Sequence, residues 1–518
     1  MDFKSKLPVG VQDFEKIRED GCLYIDRTSL IHKLVTGGSW YMLCRPRGFG
    51  KSLFLSALEA YFRGRRDLFE GLALESLESE WKEHDVLRLD FSAGVYGRQS
   101  EEGSVLDSRL SFLEKRYGVP RNGRAPAGER LAEIVRTAYG RNSRPVVVLI
   151  DGFDAPVSAA ENGEVAEDNR RVLTSLLGAL QGCDFYLGFV MIAGVTRPGF
   201  GGGFGGGVRF QDISMDPAYS EICGFNAEDL SEIASLCAEK DAPDDLASVL
   251  DKWYGGYRFG PGGAEVCCPQ SVIGCLSSCG RDDFAPGMPV KEAWAVDGQG
   301  RWLVSTLMER RWDLYRLLYG MRVHRTVISN GWIEDVPVAA VLYQSGYLTV
   351  AGGEGTSIDL AMPTAEVASV VLRAMLSVLT GAGECEDPIE SLESALENGN
   401  MQAFMTKASE LVSPTAGRDG CDCGRLAFHV LANLVGENVS SDANSDVMLT
   451  VGSGEDKKGY VFGLRIDRGL DVDDVAGDVF ASMDERDCGE RMDGCSSVAQ
   501  VAVVFASDGG GISGWRVR

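Results

Sequence analysis

Four short apolar runs, separated by stretches whose apolar residues recur at helical spacing, dominate the first 215 residues of the chain. Residues 40–44, 86–91, 146–150 and 185–193 are each rich in β-formers and bounded by polar or glycine segments, the pattern of strands buried on both faces. Alternating with helical segments, they predict a parallel sheet covered by helices. The longest apolar run, residues 186–195, suits a buried strand and falls short of the ~18 residues a membrane helix needs, so no membrane association is expected. Residues 199–207, GFGGGFGGG, predict a flexible loop, because glycine has little to fix its backbone. From Asn226 the pattern turns helical: Asn226 is placed as an N-cap, and Leu230, Ile233, Ala234 and Cys237 fall on one face, which reads as a lid. Residues 286–370 mix helices with a hairpin, 346–350 and 357–362, around a glycine-rich turn. An acidic connector at 384–390 then leads to a last region, helix followed by strands.

Length and charge narrow the classes. A chain of 518 residues that is 44% hydrophobic is too long for one core and apolar enough for two to four domains. Its 51 basic and 76 acidic residues give a formal charge of -25, the wrong sign for a surface that wraps a phosphate backbone, so nucleic acid is disfavoured as a partner. The 14 cysteines are scattered through a chain opening Met1-Asp2-Phe3-Lys4 with no apolar leader, so reduced thiols and a cytoplasmic location are expected. Four histidines, His32, His84, His324 and His429, are widely separated, and the pair Cys421 and Cys423 lacks a second pair at zinc-finger spacing.

Candidate chemistry begins at the first predicted strand. Residues 40–52 end in Arg45-Pro46-Arg47-Gly48-Phe49-Gly50-Lys51-Ser52 and run into an amphipathic helix, making a strand, a turn and a helix. Such a turn binds phosphate: backbone N–H groups at the helix start point inward, the helix dipole adds positive potential, and a lysine reaches the outer phosphates. Lys51 fits that role and Ser52 that of a Mg²⁺ ligand, although Arg45 stands where the full motif has glycine. About a hundred residues on, an apolar strand ends in Asp151, a carboxylate placed to complete the magnesium site through a water. That strand is expected beside the first. Together the two elements predict nucleotide binding.

The segments LPVGVQDFEKIREDGCLYIDRTSLI (7–31), CRPRGFGKSLFLS (44–56), VVVLIDGFDAPV (146–157) and IAGVTR (192–197) resemble the predicted AAA-ATPase-like family of P-loop NTPases, usually joined to a PD-(D/E)xK nuclease domain. WYGGYRFG (253–260), CPQSV (268–272), LYQSGYLTV (342–350) and MPTAEV (362–367) are similar to the family's later signatures. Arg-Pro-Arg before the glycines is usual there. The resemblance implies an α/β fold, with a P-loop NTPase parallel sheet at 1–215, a helical lid at 216–285, a helical, winged-helix-like linker region of mixed α+β character at 286–380, and a restriction-endonuclease-like α/β domain at 381–518. It implies ATP and Mg²⁺ as ligands, Asp151 as the Walker B acid, and Thr196 or Arg197 at a sensor position. It also places Tyr24, Asp26 and Thr28 near the base, the alternative being that they pack the first helix onto the sheet. Arg197 serves its own nucleotide or a neighbour's, and spacing does not choose between them, so the oligomeric state stays open.

Two departures bear on activity. The family's Asp-Glu-Tyr-Asp is here Asp151-Gly152-Phe153-Asp154, which removes the carboxylate that polarises the attacking water. Slow or absent hydrolysis is expected unless Asp154 substitutes. In the last domain the expected first acid is Asp446, but on the next strand Gly463 and Arg465 stand where the acid and lysine of a nuclease site belong. Residues 371–518 carry 12 Lys and Arg against 25 Asp and Glu, so nuclease activity is not expected. The resulting expectation is a nucleotide-dependent switch or scaffold that docks a protein partner. The alternatives are an ATPase that uses Asp154 to remodel a partner and a nucleic-acid-processing effector.

Overall fold

The computed structural model describes residues 6–92, 94, 96–101, 103–197, 210–238, 245–278, 299–329, 336–381, 387–412, 423–442, 446–452, 454–467, 469–486, 492, 494–507 and 511–518. The chain divides into two compact units: residues 1–294 with 322–364, and residues 295–321 with 365–518.

The first unit is built on β1 (Trp40–Cys44), β2 (Val86–Asp90), β3 (Val146–Asp151), β4 (Leu187–Gly194) and β5 (Gln211–Asp212). These form one sheet in the order β2-β3-β4-β1-β5, every neighbouring pair parallel. The four longer strands lie within two residues of their predicted bounds; Phe185 and Tyr186 belong to a short 3₁₀ turn that precedes β4. One expectation is corrected. β3 does not lie beside β1, because β4 is inserted between them and pairs with both. The two strands that carry the motifs are thus separated by β4, as crossover connections allow.

Both faces of the sheet are covered, and this is why its strands read as continuous apolar runs. Met42, Val148, Ile150, Val190 and Ile192 join one core with residues of the helices Val105–Tyr117, Ala127–Asn142 and Gly163–Gln181. The alternate residues Tyr41, Leu43, Val147, Leu149 and Met191 are buried on the opposite face. Between the first two of those helices Arg130 is buried and holds Glu114 and Asp107, each at 2.7 Å.

The helix Ala227–Ala238 forms where predicted; the Asn226 side chain accepts from the Asp229 N–H at 2.9 Å, and Leu230, Ile233 and Cys237 are buried together. The glycine run at 199–207 lies outside the described residues. Further along, β6 (Met321–His324) is followed by a hairpin of β7 (Thr349–Glu354) and β8 (Ser357–Ala361). Gly352 and Gly353 lie inside β7 rather than in the turn, which is made at Gly355 with φ +60°.

In the second unit the strands β9 (Glu437–Asp442), β10 (Asp446–Val451), β11 (Lys458–Ile466), β12 (Ser497–Phe505) and β13 (Ile512–Val517) form a sheet in the order β13-β12-β11-β10-β9. β11 and β12 are parallel and the other pairs antiparallel. One face packs on the helix Val472–Glu485 through Val461, Val479, Met483 and Ala502. Phe428, from the helix Cys423–Val435, packs against Phe462 and Phe505. The acidic stretch expected to be a connector is helical from Asp387, in the helix Asp387–Glu397; residues 382–386 lie outside the described residues. Among the described residues no helix is long and apolar enough to cross a membrane.

Candidate functional site

At the C-terminal end of β1 the chain turns sharply into the helix Lys51–Phe62. Gly48 and Gly50 take φ of +82° and +92°, a region where only glycine is unstrained, and this lets the loop fold back over the helix start. Among the described residues no protein acceptor meets the N–H groups of Gly48, Phe49 and Gly50. Unmet N–H groups at a helix N-terminus form an anion site. Lys51 donates from Nζ to the carbonyls of Arg45 and Pro46, each at 2.9 Å, so the lysine is folded onto its own loop. Burial lowers its pKa, an effect that an incoming anion would offset.

The side chain of Ser52, the next residue, lies beside the Asp151 carboxylate at the end of β3 and favours its ionised form. Asp151 is buried, and desolvation raises its pKa, opposed by Ser52, by Arg88 and by Lys51. Arg88, on β2, donates to Asp151 at 3.2 Å, to Glu59 at 3.2 Å and to the Ser52 carbonyl at 3.4 Å. Sequence reasoning missed this cation. A lone arginine in a strand pattern gives no signal until the register places it next to Asp151.

Beside the loop opens a cavity of about 540 Å³. Leu23, Tyr24, Ile25, Ile222, Phe225 and Ile273 give it apolar walls, and residues 48–52 form its phosphate-loop side. Its size falls within the range of small-molecule sites. Arg27 clasps the leading segment to the helix Ala227–Ala238, pairing with Asp229 and donating to the Glu221 carbonyl at 2.8 Å.

Other predicted residues have structural partners. Arg45 is 1% exposed; its guanidinium donates to the carbonyls of Cys44, Ser214 and Tyr219 and lies 4.1 Å above the Phe259 ring. Phe49 is buried edge-on against Tyr257 and Phe259, at 4.9 and 5.1 Å. The Gln270 N–H donates to the Gly48 carbonyl at 3.2 Å, and a β-carbon on Gly48 would lie 2.9 Å from the Cys268 sulfur. The segments 253–260 and 268–272, visible in the sequence only as signatures, therefore buttress the loop. Pro46 is buried, whereas Arg47 is exposed.

Asp154 is buried with both oxygens engaged: Oδ1 accepts from the Val195 N–H at 3.0 Å, and Oδ2 from the N–H and hydroxyl of Thr196 at 2.7 and 2.8 Å. Arg197 is 6% exposed, pairs with Asp212, and donates from its backbone N–H to Gln344 at 2.9 Å. In this conformation its guanidinium is not presented to a neighbour. Tyr24 lines the cavity, packs edge-on against Phe14 at 5.0 Å, and is raised above the usual phenol range by burial. Asp26 accepts from the N–H groups of Thr28 at 2.8 Å and Ala73 at 2.7 Å, and Thr28 accepts from the Leu74 N–H at 3.0 Å. Asp26 and Thr28 thus tie two helix starts together.

A parallel sheet with a glycine turn, an anion-receptive helix start and a carboxylate beside the helix's first serine defines a P-loop-like α/β module. A family model, Predicted AAA-ATPase, matches residues 8–199. A curated relative named "Uncharacterized protein in vnfD 5'region", from Azotobacter chroococcum mcd 1, is 31% identical over 383 residues, 72% of this chain and 70% of that protein. The chain belongs to the predicted AAA-ATPase family.

Proposed function

We propose that the protein is a cytoplasmic ATP-binding switch with slow hydrolysis, whose C-terminal unit is a nuclease-like fold without nuclease chemistry that docks a protein partner. The observation that carries the nucleotide site is the row of unmet N–H groups at Gly48, Phe49 and Gly50 beside Lys51, next to an apolar cavity of about 540 Å³. The triphosphate would lie along the row, displacing Lys51 from its own carbonyls, and the base would enter the cavity. Ser52 and Asp151 suit Mg²⁺: a hydroxyl, a nearby carboxylate and phosphate oxygens are what this ion takes, with waters completing its shell. Bound nucleotide would touch the leading segment and Ile222–Phe225 together, and so couple occupancy to the lid helix.

Slow hydrolysis is supported by Gly152 and by Asp154, whose oxygens already hold Val195 and Thr196. In the second unit, Asp446 begins β10 and faces Gly463 across the pair with β11. Arg465 and Arg486 hold its two oxygens at 3.2 and 2.5 Å. A β-carbon at Gly463 would clash with Val479 and Met483, so apolar groups fill the space a second acid needs. This favours an ion cluster over a metal site.

Titration with a fluorescent ATP analogue and Mg²⁺, with Lys51→Ala in parallel, tests the reading. Saturable binding that the substitution weakens at least tenfold is expected, and equal binding by both proteins would sink the nucleotide site.

A further inference from the structure

At the edge of the sheet, one strand beyond Asp151, stands a carboxylate that the motifs did not mark. Asp90 ends β2 and is the in-register partner of Asp151 on β3. Partners in parallel register project to the same face, and Arg88, two residues earlier, shares it and reaches Asp151 at 3.2 Å. Leu87 and Leu89 take the opposite face, in the core. Asp90 is half-buried, and its charge is among the groups that raise Asp151.

Its carboxylate is held at one end. Oδ1 accepts from the Ser92 N–H at 2.8 Å and the Ser92 hydroxyl at 2.6 Å, whereas among the described residues Oδ2 has no hydrogen-bond donor.

Gly152 explains why an acid is available here and not there. A β-carbon on residue 152 would lie 2.9 Å from the Ser92 nitrogen and 3.0 Å from the Phe91 carbonyl carbon. The backbone leaving β2 occupies the space into which a side chain at 152 would project, and that same backbone positions Asp90. Of the other aspartates at or just past the C-terminal ends of the strands, Asp154 is fully engaged, Asp212 is paired with Arg197, and Asp151 faces Ser52 and Arg88.

We propose that Asp90 is the general base of a slow nucleoside-triphosphate hydrolysis, in place of the acid absent at 152. The inference rests on the nucleotide site proposed above. In the step, a water oxygen bonds to the terminal phosphorus as the bond to the bridging oxygen breaks. The water's proton passes to Asp90 Oδ2 and then to solvent, leaving the diphosphate and inorganic phosphate.

Asp90→Asn is nearly isosteric and keeps an oxygen to accept from Ser92, so the fold should tolerate it. The full chain and this variant are compared, with Lys51→Ala as the control, in three measurements: affinity for a fluorescent ATP analogue, phosphate release, and binding of Mg·ADP with aluminium fluoride, which mimics the attacked phosphoryl group. Expected are an unchanged analogue affinity, within about twofold, phosphate release reduced about 100-fold, and aluminium fluoride complex formation weakened at least tenfold. Ser92→Ala, which loosens Oδ1, should lower release about tenfold at unchanged affinity. Wild-type protein that binds the analogue but releases no phosphate above the Lys51→Ala level would overturn the assignment. So would release by Asp90→Asn equal to wild type. Absence of analogue binding by the wild type would instead overturn the nucleotide site itself, and Asp90 with it.

Discussion

Residue 152 sits with φ +62° and a β-carbon position 2.9 Å from backbone, a combination that admits glycine and strains any side chain. From the sequence, glycine there read as a missing acid. In the structure it is also a packing requirement, because the chain leaving β2 passes over it. Gly152→Glu is therefore expected to destabilise the protein by about 1–3 kcal/mol, seen as a lower Tm, and to leave phosphate release no faster. A stable variant with increased release would show that the site was open after all. Asp151 gives a second expectation. Burial raises its pKa, so the folded protein holds that proton more tightly than the unfolded chain, and stability attributable to Asp151 falls as pH rises through and just above the ordinary carboxylate range of about 4. Asp151→Asn should flatten that part of the Tm–pH curve while weakening Mg²⁺-dependent analogue binding. An unchanged curve would mean that Ser52 and Arg88 already cancel the cost of burial.

Elements show why signature segments occur so far apart in the chain. The turn at 45–50 is held from outside by Phe259 under Arg45, by Tyr257 against Phe49 and by Gln270 on the Gly48 carbonyl. These contacts unite residues some 200 positions apart, and no periodicity in the chain announces them. The same holds in the second unit. The acid on β10 and the irregular pair Gly463 and Arg465 on β11 were legible, but Arg486, from outside both strands, was not. Asp446 is fully buried, so Arg486→Ala would leave a buried carboxylate with, among the described residues, Arg465 as its cation, at a cost of about 3 kcal/mol or more, measurable by urea unfolding. Gly463→Glu should unfold this unit at lower denaturant rather than create metal-dependent cleavage, since Val479 and Met483 occupy the space.

For the whole molecule the formal charge of -25 sets the terms of association. A surface of that sign repels nucleic acid at ordinary ionic strength, so no salt-sensitive DNA binding is expected in a mobility-shift assay. Nucleotide binding, being local, is not subject to that field in the same way. If the ATP analogue binds only the folded chain, then at a hundred times its Kd it adds about 2.7 kcal/mol of stability, and the thermal transition should move up by a corresponding step that Lys51→Ala abolishes.

The sequence alone determined the four long strands of the first sheet, the loop and its lysine, the acid closing the third strand and the acidic character of the chain, because each is written in local pattern or composition. Only the tertiary structure decided what those residues face. The order of strands placed β4 between β1 and β3, the register set Asp90 beside Asp151, and packing assigned Arg45, Asp154 and Arg197 to partners distant in sequence. The physical reason is that periodicity records which face of an element is buried, whereas register and strand order record its neighbours, and these arise from pairings that no single segment contains.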